Sequence, residues 1–149
     1  MPSDPEPPPF TDETVEAYLR TPVDVVIDGD WVPIEEAVGS LGGPLHVLTA
    51  WNPGDERPTA SENREANRRL AASVTAAGGR RWGAVGVAPD DSWFEEGFAV
   101  AGISRDVAVD LARGARQVAI FEATDEGMWL VFCFGDLDPI LRPWPGRTD

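Results

Sequence analysis

The feature that most constrains this chain is a helix whose inward stripe carries two asparagines. Residues 62–77 read ENREANRRLAASVTAA and follow the strand-like run LHVLTAWNPG at 45–54. At about 100° per residue, four side chains share an arc of roughly 60°. They are Asn63, Asn67, Leu70 and Val74. A buried amide without hydrogen-bond partners costs about 1–3 kcal/mol, so the two asparagines require partners, either within the protein or from a ligand.

The charge balance limits the classes of partner. The 149 residues, enough for one domain, include 26 acidic and 12 basic side chains and give a formal charge of −14. Because this field repels polyanions and anionic lipid, we expect neither nucleic-acid binding nor docking on a membrane surface. A small polar ligand or a protein partner is compatible with it, and the oligomeric state stays open.

Cysteine usage and targeting patterns favour the cytoplasm. No apolar run approaches the ~20 residues of a membrane span, and we see no pattern of a secretory signal. Cys133, the single cysteine, lies in the apolar run MWLVFCF, which is typical of a small buried hydrophobic residue rather than a reactive thiol. A reducing compartment is therefore expected.

Turn and capping residues predict the main elements. Asp28-Gly29 between β-branched stretches indicates a hairpin over 23–34. The segment 35–44 is expected to hold one helical turn. The long helix is expected to begin at Thr59 and Glu62, which have capping-box spacing, with Ser61 as an alternative N-cap, and to end at Gly78-Gly79. Strands are predicted over 45–51, 81–87 and 94–103, then a helix over 105–113 and a final hairpin over 117–134.

These elements predict one α+β domain with two tails. Residues 1–10, rich in proline and acid, are expected to form a disordered tail, and 137–149 an irregular one. Between them, 11–136 should form a single domain. From residue 45 the order β-α-β-β-α-β-β favours a two-layer sandwich, with a largely antiparallel sheet and two main helices on one face. Its core matches a split β-α-β arrangement.

Six polar residues form the predicted ligand-binding site. Thr49 and Asn52 stand where a strand ends, which is a common place for ligand pockets. Proline follows Asn52 and should push the Asn52 backbone toward extended geometry. Asn63 and Asn67 are the asparagines of the inward stripe. They lie near a helix N-terminus, which favours either a ligand with a carboxylate or phosphate, or the side chain of Glu95 or Glu96 from a neighbouring strand. Strand alternation favours Glu96 as the acid that faces inward, because it shares a strand face with Phe98. Gln117 opens the final hairpin. The six are Thr49, Asn52, Asn63, Asn67, Glu96 and Gln117.

The sequence lacks the residues that several common kinds of catalytic, metal and cofactor site require. His46 is the only histidine, and its strand context favours a fully hydrogen-bonded core or edge residue over a catalytic base. With one histidine and one cysteine, no ordinary zinc site can be assembled, so no metal is expected. The chain has no P-loop, no G-x-G-x-x-G and no G-x-S-x-G, and we expect no cofactor.

Four motifs resemble the DUF3293 family of small bacterial proteins, whose function is not established. They are LTAWNPG, ENREANRRL, WFEEGFAV and RQVAIFE, spanning about 45–122. The most specific element is T-A-x-N-P followed by E-N-x-x-x-N-x-x-L. Arg116 stands where the family pattern usually has glycine. The resemblance implies a shared polar site that includes Glu62 beside the six residues above, and it implies no reaction.

Three functions fit these observations. We favour a non-catalytic module that binds a small polar molecule or a peptide end, because neutral amides outnumber acid–base groups. The first alternative is a hydrolytic enzyme with Glu96 as general base. The second is an acidic protein-interaction module whose asparagines are structural. Whether the protein is an enzyme is left open by the sequence.

Overall fold

The computed structural model describes residues 12–52, 57–87, 94–135 and 137–145. Four helices lie in these ranges: α1 Asp12–Arg20, α2 Ile34–Leu41, α3 Ala60–Ala76 and α4 Arg105–Gly114. Eight strands lie there too: β1 Val23–Ile27, β2 Asp30–Pro33, β3 Leu45–Leu48, β4 Arg80–Val87, β5 Phe94–Ala101, β6 Ala119–Ala123, β7 Gly127–Phe132 and β8 Ile140–Pro143.

All eight strands pair antiparallel in one sheet of order β2-β1-β4-β5-β3-β6-β7-β8. Within it, β3-α3-β4-β5-α4-β6 has the spatial strand order β4-β5-β3-β6, which is the split β-α-β arrangement of ferredoxin-like domains. A hairpin extends each edge of this core. The α+β class and the antiparallel sheet are confirmed.

The two main helices cover one face of the sheet, as predicted. Leu70 and Val74 of α3 and Ala108 and Ala112 of α4 pack on a core that includes Ile120. The alternation of strand side chains sends a second set of apolar residues to the other face. There, α1 and α2 pack over that second core. The sheet is therefore buried on both sides along its centre.

Local signals explain where the elements begin and end. The β1–β2 turn has φ +53 at Asp28 and +84 at Gly29, the left-handed pair that a two-residue hairpin requires. At the start of α3, Thr59 Oγ1 accepts the Glu62 N–H at 3.1 Å, and Glu62 Oε1 accepts the Thr59 N–H at 3.1 Å. The helix ends before Gly78, whose φ is +84. The predicted hairpin and capping box are confirmed.

Two expectations were wrong. The segment predicted to hold a single helical turn forms α2, which has eight residues. The segment 137–149, expected to be irregular, contains β8, where Met128 of β7 pairs with Arg142. Beyond β8, Trp144 is buried and its Nε1 donates to the carbonyl of Thr124 at 2.8 Å. A strand of four residues has little pattern of its own, so its pairing with β7 was not visible in the sequence. The predicted N-terminal tail lies outside the described residues.

Candidate functional site

Asn67 bridges the ends of two strands through its side-chain amide. Its Oδ1 accepts the backbone N–H of Ala50 at 2.8 Å, and its Nδ2 donates to the backbone carbonyl of Glu96 at 2.8 Å. The β3–β5 pairing ends nearby, at Leu48 and Phe98. One buried amide therefore supplies hydrogen bonds that the two strands no longer make to each other.

Asn63 holds the next residues of the same chain segment. Its Oδ1 accepts the backbone N–H of Asn52 at 2.9 Å, and its Nδ2 donates to Asn52 Oδ1 at 2.9 Å. Asn52 has φ +47, a left-handed conformation that asparagine tolerates better than most residues. The extended backbone expected at Asn52 was wrong, and the paired contacts with Asn63 stabilise the left-handed turn instead.

Thr49 and Gln117 complete the contacts around residues 49–52. The Thr49 hydroxyl donates to the Glu96 carbonyl at 2.6 Å and accepts the Trp51 N–H at 3.0 Å. Gln117 Nε2 donates to the Trp51 carbonyl at 3.2 Å. We call the side chains of Thr49, Asn52, Asn63, Asn67 and Gln117 the amide cluster. It fixes the chain as it leaves β3.

The structure brings all six predicted residues together, but Glu96 joins through its backbone. Its carboxylate lies on the predicted sheet face with Phe98, at an end that the helices leave uncovered. The side chain is 43% exposed, and Oε2 is 3.8 Å from Arg64 Nε. The inward asparagines thus have partners within the protein, and the one carboxylate of the six faces open space.

Arg116 occupies a left-handed position at the end of α4. The N–H of Gln117 bonds to the Ala112 carbonyl at 2.9 Å and the N–H of Arg116 to the Arg113 carbonyl at 3.0 Å. This is a Schellman motif, whose penultimate residue usually is glycine. Arg116 has φ +61 there, so the turn that delivers Gln117 to the amide cluster forms without glycine.

A cleft of about 510 Å³ lies beside the amide cluster, between α3 and the sheet face at β4 and β5. Asn67 and Ala71 of α3 line one wall, and Gly83 and Val85 of β4 line the floor. Trp31 of β2 also reaches it. We call this space the α3–β4 cleft. It places two predicted site residues, Asn67 and Glu96, at a ligand-sized opening.

The α3–β4 cleft also contains residues that the sequence analysis missed. Arg64, Arg68 and Arg81 line it, with Trp31 and Phe94. Trp31 is 59% and Phe94 51% exposed. The i, i+4 spacing of Arg64 and Arg68 was a signal that both lie on one side of α3. Arg81 and Trp31 carried no such signal, because only the strand order brings them near α3.

A second groove, of about 540 Å³, runs between α3 and α4. Its charged lining residues are balanced in sign, with Glu62 and Asp110 against Arg69 and Arg116. Of the residues that the structure describes, three arginines and one acid line the α3–β4 cleft. The two sides of α3 therefore differ in their electrostatic character.

The acid with a raised pKa lies on the opposite face of the sheet. Glu95 lines a narrow cavity of about 50 Å³ with Tyr18 of α1. Burial raises the pKa of Glu95 to about 7, against the opposing effect of Arg57. Burial, and secondly the charge of Glu95, also raise the pKa of Tyr18 above its usual range.

His46 lies in a buried ion-pair network. Its Nε2 is 2.7 Å from Glu122 Oε2, and Glu122 Oε1 accepts from Arg105 Nη2 at 2.6 Å. The hydrogen bond from Arg105 is the largest effect that holds the pKa of Glu122 below its usual range. His46 is fully buried, as predicted for a core residue, but its Nδ1 has no hydrogen-bond partner among the described residues, so the expectation that its ring would be fully hydrogen-bonded was wrong.

Two further findings concern the described ranges only. No group of three or more histidine, cysteine, aspartate or glutamate side chains there is arranged to hold a metal ion. None of the helices there has the length and apolar character needed to cross a lipid bilayer.

The fold and the amide cluster together define an α+β domain of split β-α-β topology, with the strand end after β3 held by helix amides. The model of the DUF3293 family, described as a protein of unknown function, matches residues 48–120. This match confirms the resemblance seen in the sequence motifs. No curated protein and no solved structure matches the chain.

Proposed function

We propose that this protein is a non-catalytic module that binds a small polar ligand in the α3–β4 cleft. One observation carries the proposal: an opening of about 510 Å³ lies directly beside a rigidly hydrogen-bonded cluster. Ligand sites in proteins commonly measure roughly 300–1,000 Å³ and contain a few fixed polar groups. The cleft fits that description.

The amide cluster would act mainly as the support of this site. Asn67 uses its oxygen on Ala50 and one amide hydrogen on Glu96, and Asn63 is held by Asn52. Thr49 and Gln117 fix the same segment from the other side. A wall held in one geometry before the ligand arrives loses little entropy on binding. Glu96 would offer its carboxylate as an acceptor at the rim.

The distribution of acid–base groups favours binding over hydrolysis. The carboxyl whose pKa is raised toward neutrality is Glu95, on the face opposite the cleft. Glu96 instead lies beside Arg64, which suits a fixed recognition group.

A reducing cytoplasm suits Cys133, because burial raises the pKa of its thiol to about 12 and keeps it protonated.

A thermal-shift screen of sugars, amino acids, amines and nucleotides tests the proposal. A ligand at 100 times its Kd stabilises the protein by about 2.7 kcal/mol. Gly83→Val should abolish that shift for any compound, because the added side chain fills the cleft floor. Within 4 Å of a Cβ at Gly83, the described residues place only Val26 Cγ2, at 3.9 Å, so a side chain can leave the backbone there without a clash.

Gly39→Ala in α2, where an added Cβ meets nothing within 4 Å, is the control and should keep the ligand response. A compound whose stabilisation persists in Gly83→Val binds elsewhere and would contradict the proposal. A screen in which no class of compound stabilises the wild-type protein would count against it equally.

A further inference from the structure

We infer that the ligand of the α3–β4 cleft is a small anion that carries a planar ring. This inference rests on the proposed function and adds the chemical class of the ligand. It depends on the side chains that line the cleft, three arginines and exposed aromatic rings, and on the contrast between them and the rest of the chain.

The charge of the cleft is opposite to that of the protein. The chain has 26 acidic and 12 basic residues, yet in the described part of the chain three arginines and a single acid, Glu96, line the cleft. Arg64 and Arg68 have side chains that are 60% and 74% exposed. A positive site on a protein of charge −14 has no general role in solubility, so its position favours a specific anionic ligand.

The three guanidinium groups keep hydrogen-bond donors available. Among the described residues, Arg64 has only a 3.8 Å contact with Glu96, and Arg68 pairs with Glu65 on the helix surface. Arg81 donates one Nη1 hydrogen bond to the Thr75 hydroxyl at 2.9 Å. Each guanidinium has five N–H donors in a planar fork that matches carboxylate or phosphate oxygens. An anion could therefore be bound without breaking the amide cluster.

The aromatic residues supply the surface for a ring. Trp31 and Phe94 are among the few large apolar side chains exposed in the described ranges. Phe98 lies deeper, with the Arg81 guanidinium 5.9 Å from its ring centroid. Exposed aromatic side chains next to arginine form a stacking surface for a planar π system. The cleft therefore combines arginines, which suit an anion, with aromatic side chains, which suit a planar ring.

Isothermal titration calorimetry with five named probes tests the class. AMP and indole-3-acetate each combine a ring with an anion, as phosphate and carboxylate respectively. Ribose 5-phosphate is an anion without an aromatic ring, adenosine a ring without the anion, and tryptamine a ring with a cation. We expect AMP, indole-3-acetate or both to bind at least about tenfold more tightly than the other three, because each lost contact costs about 1.4 kcal/mol or more.

Matched variants locate the contacts. Arg64→Gln, Arg68→Gln and Arg81→Gln should each weaken binding of the preferred probe about tenfold, and Trp31→Ala similarly. Arg69→Gln is the control, because Arg69 directly follows Arg68 on α3 but lines the other groove. It should leave the affinity unchanged within about twofold. Affinity for the preferred probe should also fall as salt is raised.

The outcomes separate this inference from the proposed function. Adenosine or tryptamine binding as tightly as AMP and indole-3-acetate would overturn the ligand class, as would equal effects of Arg64→Gln and Arg69→Gln. If Gly83→Val still removes that binding, the proposed function stands. If binding survives Gly83→Val, both fail. A single-stranded oligonucleotide that binds more tightly than AMP would also overturn the inference, in favour of a nucleic-acid site.

Discussion

Asn67 donates its side-chain amide to the backbone carbonyl of Glu96 at 2.8 Å, which ties α3 directly to β5. The same carbonyl accepts the Thr49 hydroxyl at 2.6 Å. A carbonyl oxygen has two lone pairs, and here both are used where the β3–β5 ladder ends. The stability of this junction and the shape of the α3–β4 cleft therefore depend on the same amide.

Asn67→Leu should lower the free energy of unfolding by about 1–3 kcal/mol, because the buried N–H of Ala50 loses its partner. Leucine is the better helix former, so a loss would be a tertiary effect. Urea denaturation measures it. Arg69→Leu, on an exposed position of α3, is the control and should change stability little. Unchanged or higher stability in Asn67→Leu would show that the amide cluster does not support the fold.

Gly97→Ala should destabilise the protein by about 2–3 kcal/mol or prevent folding. A Cβ at Gly97 would lie 2.4 Å from the Leu48 carbonyl oxygen and 2.9 Å from Thr49 Cβ, so β3 and β5 would have to separate. Gly83→Ala in the neighbouring strand makes a matched control, with its nearest contact at 3.9 Å. Comparable midpoints of urea unfolding for the two variants would refute the close approach.

Arg116→Gly should raise the free energy of unfolding by about 0.5–1 kcal/mol, because glycine adopts the left-handed conformation without strain. Gly78 occupies the same position of a Schellman motif at the end of α3. Gly78→Ala should therefore lower the free energy of unfolding by about 1 kcal/mol. Thermal and urea unfolding of both variants measure the pair. A destabilised Arg116→Gly protein would mean that contacts of the arginine side chain outweigh the backbone strain.

Glu95 should make the protein less stable as the pH rises from about 4.5 to about 7. Burial raises its pKa from 4.5 to about 7 in the folded state. Across that interval the unfolded chain has lost the proton that the folded protein keeps, so the free energy of unfolding falls and then levels off. The destabilisation is absent below pH 4.5 and complete above pH 7.

Glu95→Gln should therefore match the wild-type stability near pH 4.5 and exceed it by about 3 kcal/mol at pH 8. Urea titrations at intervals of one pH unit give the comparison. Glu126→Gln, at an exposed turn, controls for the removal of one negative charge from an acidic chain. A constant difference between Glu95→Gln and wild type across this range would contradict the buried, protonated acid.

Local patterns were enough to predict the long helix and its boundaries. Thr59 and Glu62 form the capping box at one end, and Gly78 adopts the left-handed turn at the other. The apolar periodicity correctly predicted that Asn63 and Asn67 face inward, and both are buried. These features depend on residues within a few positions of one another, so they can be read along the chain.

The partners of those asparagines could not be predicted. The sequence suggested a ligand or a group within the protein, such as the side chain of Glu95 or Glu96. In the structure, Asn67 bonds to the backbone of Ala50 and Glu96, and Asn63 bonds to both the backbone and the side chain of Asn52. Backbone groups carry no residue-specific signal. Likewise, strand alternation separated Glu95 from Glu96 but wrongly favoured Glu96 as the inward acid, whereas the Glu96 side chain is 43% exposed and Glu95 lines the narrow cavity on the other face.

The sequence by itself determined the α+β class, the helix α3 and the need of its two inward amides for partners, because propensity, capping and periodicity act locally. Only the tertiary structure decided that these partners are three backbone groups and the side chain of Asn52. It alone placed Trp31 and Arg81 beside Arg64 and Arg68. Those residues meet through the strand order β2-β1-β4-β5, which follows from pairing between distant segments.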